Sequence, residues 1–75
     1  MSFVVLAFGP AVLPAGITLG SVDTATSVQD RALRDGTFDG PASALTGIQV
    51  LEASDLDVVL DQLPASGTFE VRPVA

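Results

Sequence analysis

Only one stretch of this chain carries a helical period, and that limits every fold open to it. Leu56, Val59, Leu60 and Leu63 fall at i, i+3, i+4 and i+7, which draws one apolar stripe along a helix. Ser54 is placed to cap it, Asp55 and Asp57 suit the positive end of the helix dipole, and Pro64 stops it. The other apolar segments read as strands. Phe3 to Phe8 is an unbroken β-branched and aromatic run closed by Gly9-Pro10, the pattern of a central strand covered on both faces. Thr24 to Gln29 mixes Thr, Ser and Val and reads as a second strand. Gly47 to Ala53 alternates Ile48 and Val50 against Gln49, Leu51 and Ala53, and Thr68 to Val74 alternates Phe69, Val71 and Pro73 against Thr68, Glu70 and Arg72. Ala15 to Leu19 suggests a short extended piece inside an otherwise irregular connection.

Strand, long connection, strand, turns, strand, helix, strand is the order of an α+β chain, a ferredoxin-like split βαββαβ with the first helix missing or reduced. One helix covers one face of a four-stranded sheet, yet the first and third strands are apolar on both sides. The uncovered face therefore calls for a partner, and a second copy packed sheet on sheet would supply it. Size points the same way. A single domain of 75 residues buries too little surface for comfort, and small folds compensate with disulfides, metals or association. With no Cys and no His there is no disulfide framework, thiol nucleophile, imidazole base or ordinary zinc site, so no cofactor or metal is expected. A homodimer or higher homo-oligomer is the expected state of residues 1–75.

Charge excludes other partners. Nine acids against three arginines give a net charge of −6, which disfavours both nucleic acid and an anionic membrane surface. The charge-free run from Met1 to Val22 lacks a basic start and is broken by Gly9, Pro10, Pro14, Gly16 and Gly20. It suits a strand and loop better than a signal peptide or a membrane span. The expected location is the cytoplasm.

Candidate chemistry concentrates between Asp30 and Pro41. Asp35-Gly36 and Asp39-Gly40-Pro41 are turn signals, with Thr37-Phe38 as a short hairpin arm between them. Asp39 reads in two ways, as a general base or polar anchor, or as a turn former bonded to its own backbone. Arg31 and Arg34 suit bidentate capture of a carboxylate, or exposed ion pairs with the neighbouring Asp30 and Asp35. Asp55, Asp57 and Asp61 offer oxygen ligands, but without calcium-loop spacing they read as a solvated helix face. Arg72 is expected to pair with Glu70 or Glu52 across strands.

Several segments, in order, resemble the YCII-related (DGPF-type) family. Asp39-Gly40-Pro41 with the strand Thr46 to Ala53 is similar to its DGPF segment and the "GGFYLIEA" strand that follows. Ser54 to Asp57, Leu63-Pro64 and Phe69 to Val74 resemble its "DDLDEAL…P…VEVRPV" ending. Thr24 to Val28 resembles the "TATTVR" strand, and Phe3 to Gly9 its opening strand. The likeness runs from about Thr24 to the C-terminus and is thin before that. It implies a dimeric α+β barrel, often encoded near extracytoplasmic-function sigma factors, with a few members acting on small ring compounds through a His–Asp pair. Asp39 corresponds to that Asp, whereas the His has no counterpart here. Ala42 replaces the family's Phe, the following short helix shrinks to Ala42-Ser43-Ala44-Leu45, and Gly9 to Asp23 replaces a longer segment. The expectation is therefore a homodimeric binding or accessory protein without catalysis, serving sigma-factor-type regulation or holding a small hydrophobic ligand between its sheets. Its rivals are an enzyme using Asp39 as acid/base with Arg31 or Arg34 on the substrate, and a shortened, purely structural relative.

Overall fold

A computed structural model describes residues 1–41 and 43–75. The strands are β1 (Ser2–Phe8), β2 (Ile17–Thr18), β3 (Thr26–Gln29), β4 (Ala32–Asp35), β5 (Leu45–Glu52) and β6 (Thr68–Pro73), with one α-helix, α1 (Leu56–Gln62). Short 3-10 turns occupy Val22–Thr24 and Gly40–Ala44. Four strands form an antiparallel sheet in the order β2-β5-β1-β6, and β3 and β4 form a separate two-stranded ribbon. The chain is thus a small α+β domain of broadly ferredoxin-like topology. Its first strand lies at the centre and its only described α-helix bridges β5 to β6. No described helix is long and apolar enough to cross a membrane.

The fourth strand comes from the short extended piece expected within Ala15 to Leu19. Thr24 to Gln29 was the sequence candidate for the second strand of the sheet, but that place is taken by Ile17 and Thr18, opposite Ile48 and Gly47. Gly16 makes the exchange feasible. At φ +117 it brings the backbone so close to β5 that a Cβ would stand 2.7 Å from the Ile48 carbonyl oxygen. Thr26–Gln29 folds instead onto Ala32–Asp35, with Thr26 facing Asp35 and Gln29 facing Ala32. Gly36 bends the chain at φ +92, as the Asp35-Gly36 signal suggests, but the hairpin itself reverses at Asp30-Arg31, both in the left-handed region at φ 50 and 69. That pairing of positive φ values defines a two-residue hairpin turn, normally an Asn-Gly or Asp-Gly property. Gly36 closes the base of the hairpin, its N–H donating to the Ala25 carbonyl at 2.8 Å.

The register sorts the two faces of the main sheet. Phe3, Val5 and Ala7 lie opposite Leu51, Gln49 and Gly47 on one side and Pro73, Val71 and Phe69 on the other. This face receives the helix, and Val59 joins Phe3 and Val5 in the core, flanked by Leu13, Leu51, Ala53, Leu63, Phe69 and Val71. Asp55, not Ser54, is the helix cap, its carboxylate accepting from the Val58 N–H at 3.1 Å. Leu63 leaves the helix in extended geometry ahead of Pro64. The apolar stripe is only half used. Val59 and Leu63 turn inward, while Leu56 and Leu60 remain exposed, because so short a helix seats little more than one turn on the sheet.

Candidate functional site

The most distinctive surface is the sheet face away from the helix. Alternation along β1 sends Ser2, Val4, Leu6 and Phe8 to it, opposite Glu52, Val50, Ile48 and Leu45 of β5. Ile17 of β2 extends the same row beyond Ile48. Across the sheet this gives an apolar band from Ile17 through Ile48 to Leu6, with Val4, Val50 and Phe8 beside it. Thr68, Glu70 and Arg72 border it on β6. No described α-helix covers the band. Val50 is 65% and Ile17 66% exposed, while Val4, Leu6, Phe8 and Ile48 are half-buried. β1 is therefore buried on one face only, contrary to the two-sided burial its composition suggests.

The band holds no charge, and the ionic groups stand at its margin. Arg72 pairs with Glu70 at 3.0 Å along one strand, two residues apart and not across strands. Glu52 takes the hydroxyl hydrogen bond of Ser2 and lies 3.5 Å from the Met1 ammonium. The Ser2 hydroxyl, with the ammonium's help, lowers the Glu52 carboxyl below its ordinary value of 4.5.

The second feature is the β3–β4 ribbon, which carries Arg31 and Arg34. Arg31 sits in the reversal itself and is exposed. Arg34 faces Ser27, lies over the Phe38 ring at 6.0 Å, and donates to the Thr37 carbonyl at 3.4 Å. The ion pairs that the sequence suggests for these arginines with Asp30 and Asp35 are not formed among the described residues. Strand alternation explains part of this, because Asp35 points to the opposite face of β4 from Arg34. Ser27 is buried and donates to the Gly36 carbonyl at 2.5 Å, pinning the ribbon's inner face. On the outer face Val28 and Leu33 lie opposite each other, 55% and 73% exposed.

Asp39 is exposed in the loop that enters the Gly40–Ala44 turn, with Gly40 at φ +80. The turn is tied by the Ser43 hydroxyl donating to the Gly40 carbonyl at 2.7 Å. No ion pair joins Asp39 to Arg31 or Arg34 among the described residues. A 300 Å³ hollow beside Arg34 and Phe38, and a 570 Å³ hollow between Pro10–Pro14 and Pro64–Gly67, are both lined without Asp39. The short helix that the sequence placed at Ala42–Leu45 begins at a residue outside the described set. Its neighbours Ser43 and Ala44 belong to the 3-10 turn, and Leu45 opens β5. Asp55 is spent on its cap, and no three described acidic side chains gather as a metal site.

Sequence reading found Val50 and Ile48 on one strand face and an extended piece around Ile17, but missed the pairing of Ile17 with Ile48 and the Val28–Leu33 pair. The missed signal was the alternation in Thr26–Gln29 and Ala32–Asp35 on either side of two residues, a hairpin pattern hidden because neither turn residue is Gly. Comparison of the chain with protein-family models, curated proteins and solved structures gives no match.

Proposed function

We propose that the chain works as a homodimeric binding or accessory protein of the YCII-related type, not as an enzyme, with two copies facing each other across their open sheet faces. The observation that carries this reading is the charge-free band of Val4, Leu6, Ile48, Val50 and Ile17, which the only described helix leaves uncovered. Surface area supports it. The chain exposes 5388 Å², whereas a compact monomer of this mass exposes roughly 4,300 Å². The excess of about 1,100 Å² is comparable to the ~800 Å² per partner that a standard interface removes from water. Its radius of gyration is 13.8 Å, against about 11 Å for a compact domain of this length.

An apolar space between two such sheets suits a small hydrophobic ligand better than a charged one. The exposure of Asp39 weighs against acid/base catalysis, which needs a carboxyl shielded from bulk water. Native mass spectrometry across a dilution series tests the reading. A dimer that persists on dilution supports it, and an added small mass identifies a ligand. A monomer at every concentration overturns it.

A further inference from the structure

We propose that the seam between α1 and the Pro14–Gly16 segment binds a small neutral amide, a single-ring molecule whose N–H and C=O stand side by side, with the Gln49 carboxamide as its hydrogen-bonding partner. The seam lies on the helix side of the sheet, away from the open face, and needs no second copy of the chain.

Three observations carry it. The first is a polar side chain set in an apolar layer. At the ladder positions of β1, β5 and β6 that face the helix, Gln49, opposite Val5, is the one polar residue. It is half-buried, and its carboxamide makes no hydrogen bond among the described residues. A carboxamide carries two donor hydrogens and an acceptor, and leaving them unmet in an apolar layer is costly, so it needs an opening to water or to a ligand.

The second is that opening. A hollow of 160 Å³ joins Gln49 and Leu51 to Val59, Gln62 and Leu63 of the helix end and to Pro14 and Ala15 of the loop. Its size is that of one ring, since an aliphatic cavity of about 150 Å³ takes up benzene. The loop is held close to the strand: a Cβ on Gly16 would stand 2.9 Å from the Gln49 Cβ. The third is charge. No ionic side chain lines the hollow, and its polar side chains are the two carboxamides of Gln49 and Gln62. A charged ligand would find no counter-ion there, and in a chain of net charge −6 an anion is disfavoured most. A neutral edge of one donor and one acceptor matches a carboxamide in a paired hydrogen bond, while the ring meets Leu51, Val59 and Leu63.

Titration of the nitrogen-15-labelled full chain with 2-pyridone tests this, with N-methyl-2-pyridone, which lacks the donor, as the matched control. Expected are saturable shifts of the Gln49 side-chain amide and of the Val59 and Leu63 backbone amides, with half-saturation at about 1 mM. The N-methyl compound should bind roughly fivefold more weakly or worse. Gln49→Leu keeps the apolar lining and should weaken 2-pyridone by a similar factor with an unchanged far-UV spectrum. Where that variant does not fold, the wild-type preference for 2-pyridone over its N-methyl form, read at the Gln49 side-chain resonance, decides. Equal affinity for the two compounds, or full affinity in a folded Gln49→Leu, overturns the proposal, as does the absence of saturation by about 10 mM. Saturable shifts confined to Leu6 and Val50 also overturn it and place the ligand on the open sheet face.

Discussion

Val5 at the centre of β1 and Val59 at the centre of α1 are both wholly buried, at 0% exposure, and pack in the same cluster with Phe3. That contact seals the helix to the sheet, and the core around it is small. The same helix that completes one face of the sheet leaves Leu6 and Ile48 on the other without a covering layer.

Truncating the sealed side chain tests how much of the fold hangs on it. Val59→Ala removes two methyl groups from a site with no solvent to refill it, and is expected to cost about 2 kcal/mol. Urea denaturation followed by far-UV circular dichroism reads this as a lower midpoint. An unchanged midpoint would mean that the helix does not rest on β1.

The cap separates two adjacent residues. Asp55→Ala removes the carboxylate that accepts from the Val58 N–H, with an expected loss of about 1 kcal/mol. Ser54→Ala leaves the cap in place and should shift the same urea midpoint far less. Equal effects would return the capping role to Ser54.

The hairpin turn is improvable. Asp30 and Arg31 both hold positive φ, which Asn and Gly adopt at less cost than Arg. Asp30→Asn/Arg31→Gly is therefore expected to slow amide exchange at the ladder positions of β3 and β4 in proportion to a gain of about 0.5–1 kcal/mol. Faster exchange would place the reversal elsewhere.

Glu52 gives the fold a pH signature. Its carboxyl is held below 4.5, first by the Ser2 hydroxyl and then by the Met1 ammonium. On acidification the unfolded chain takes up the proton first, so this contribution is complete above about pH 4.5 and fades as pH falls through the lowered native value. Glu52→Gln should flatten the acid limb of a stability–pH curve and leave the neutral region nearly unchanged, since the group is exposed. An acid limb identical to wild type would show that the Ser2 contact does not persist in solution.

How much of this was legible in the sequence depends on which interactions set each element. The helix, β5 and β6 announce themselves through local period, and the faces assigned to Ile48 and Val50 match the register. β1 was recognisable as a strand, but its burial was not, because composition does not say on which side the one helix lies. β2 was only half visible. Two residues beside a glycine leave a weak local mark, and their pairing depends on the close approach of Gly16 to Ile48. The hairpin was misplaced because Gly36 marks its base and the true turn uses Asp30 and Arg31 against their usual preference. Of the candidate site residues, Arg31 lies in the hairpin turn and Arg34 on β4, where its contacts are a ring and a carbonyl, since strand alternation separates Arg34 from Asp35.

The central claim is that Leu6, Ile48 and Val50 face a second copy of themselves. Isotope-filtered NOE spectroscopy on an equal mixture of carbon-13-labelled and unlabelled chains tests it most directly. The account predicts intermolecular contacts among the methyl groups of Leu6, Ile48 and Val50. Intermolecular contacts confined to Leu56 and Leu60 on the helix, or none from a chain of 7.6 kDa, would contradict it.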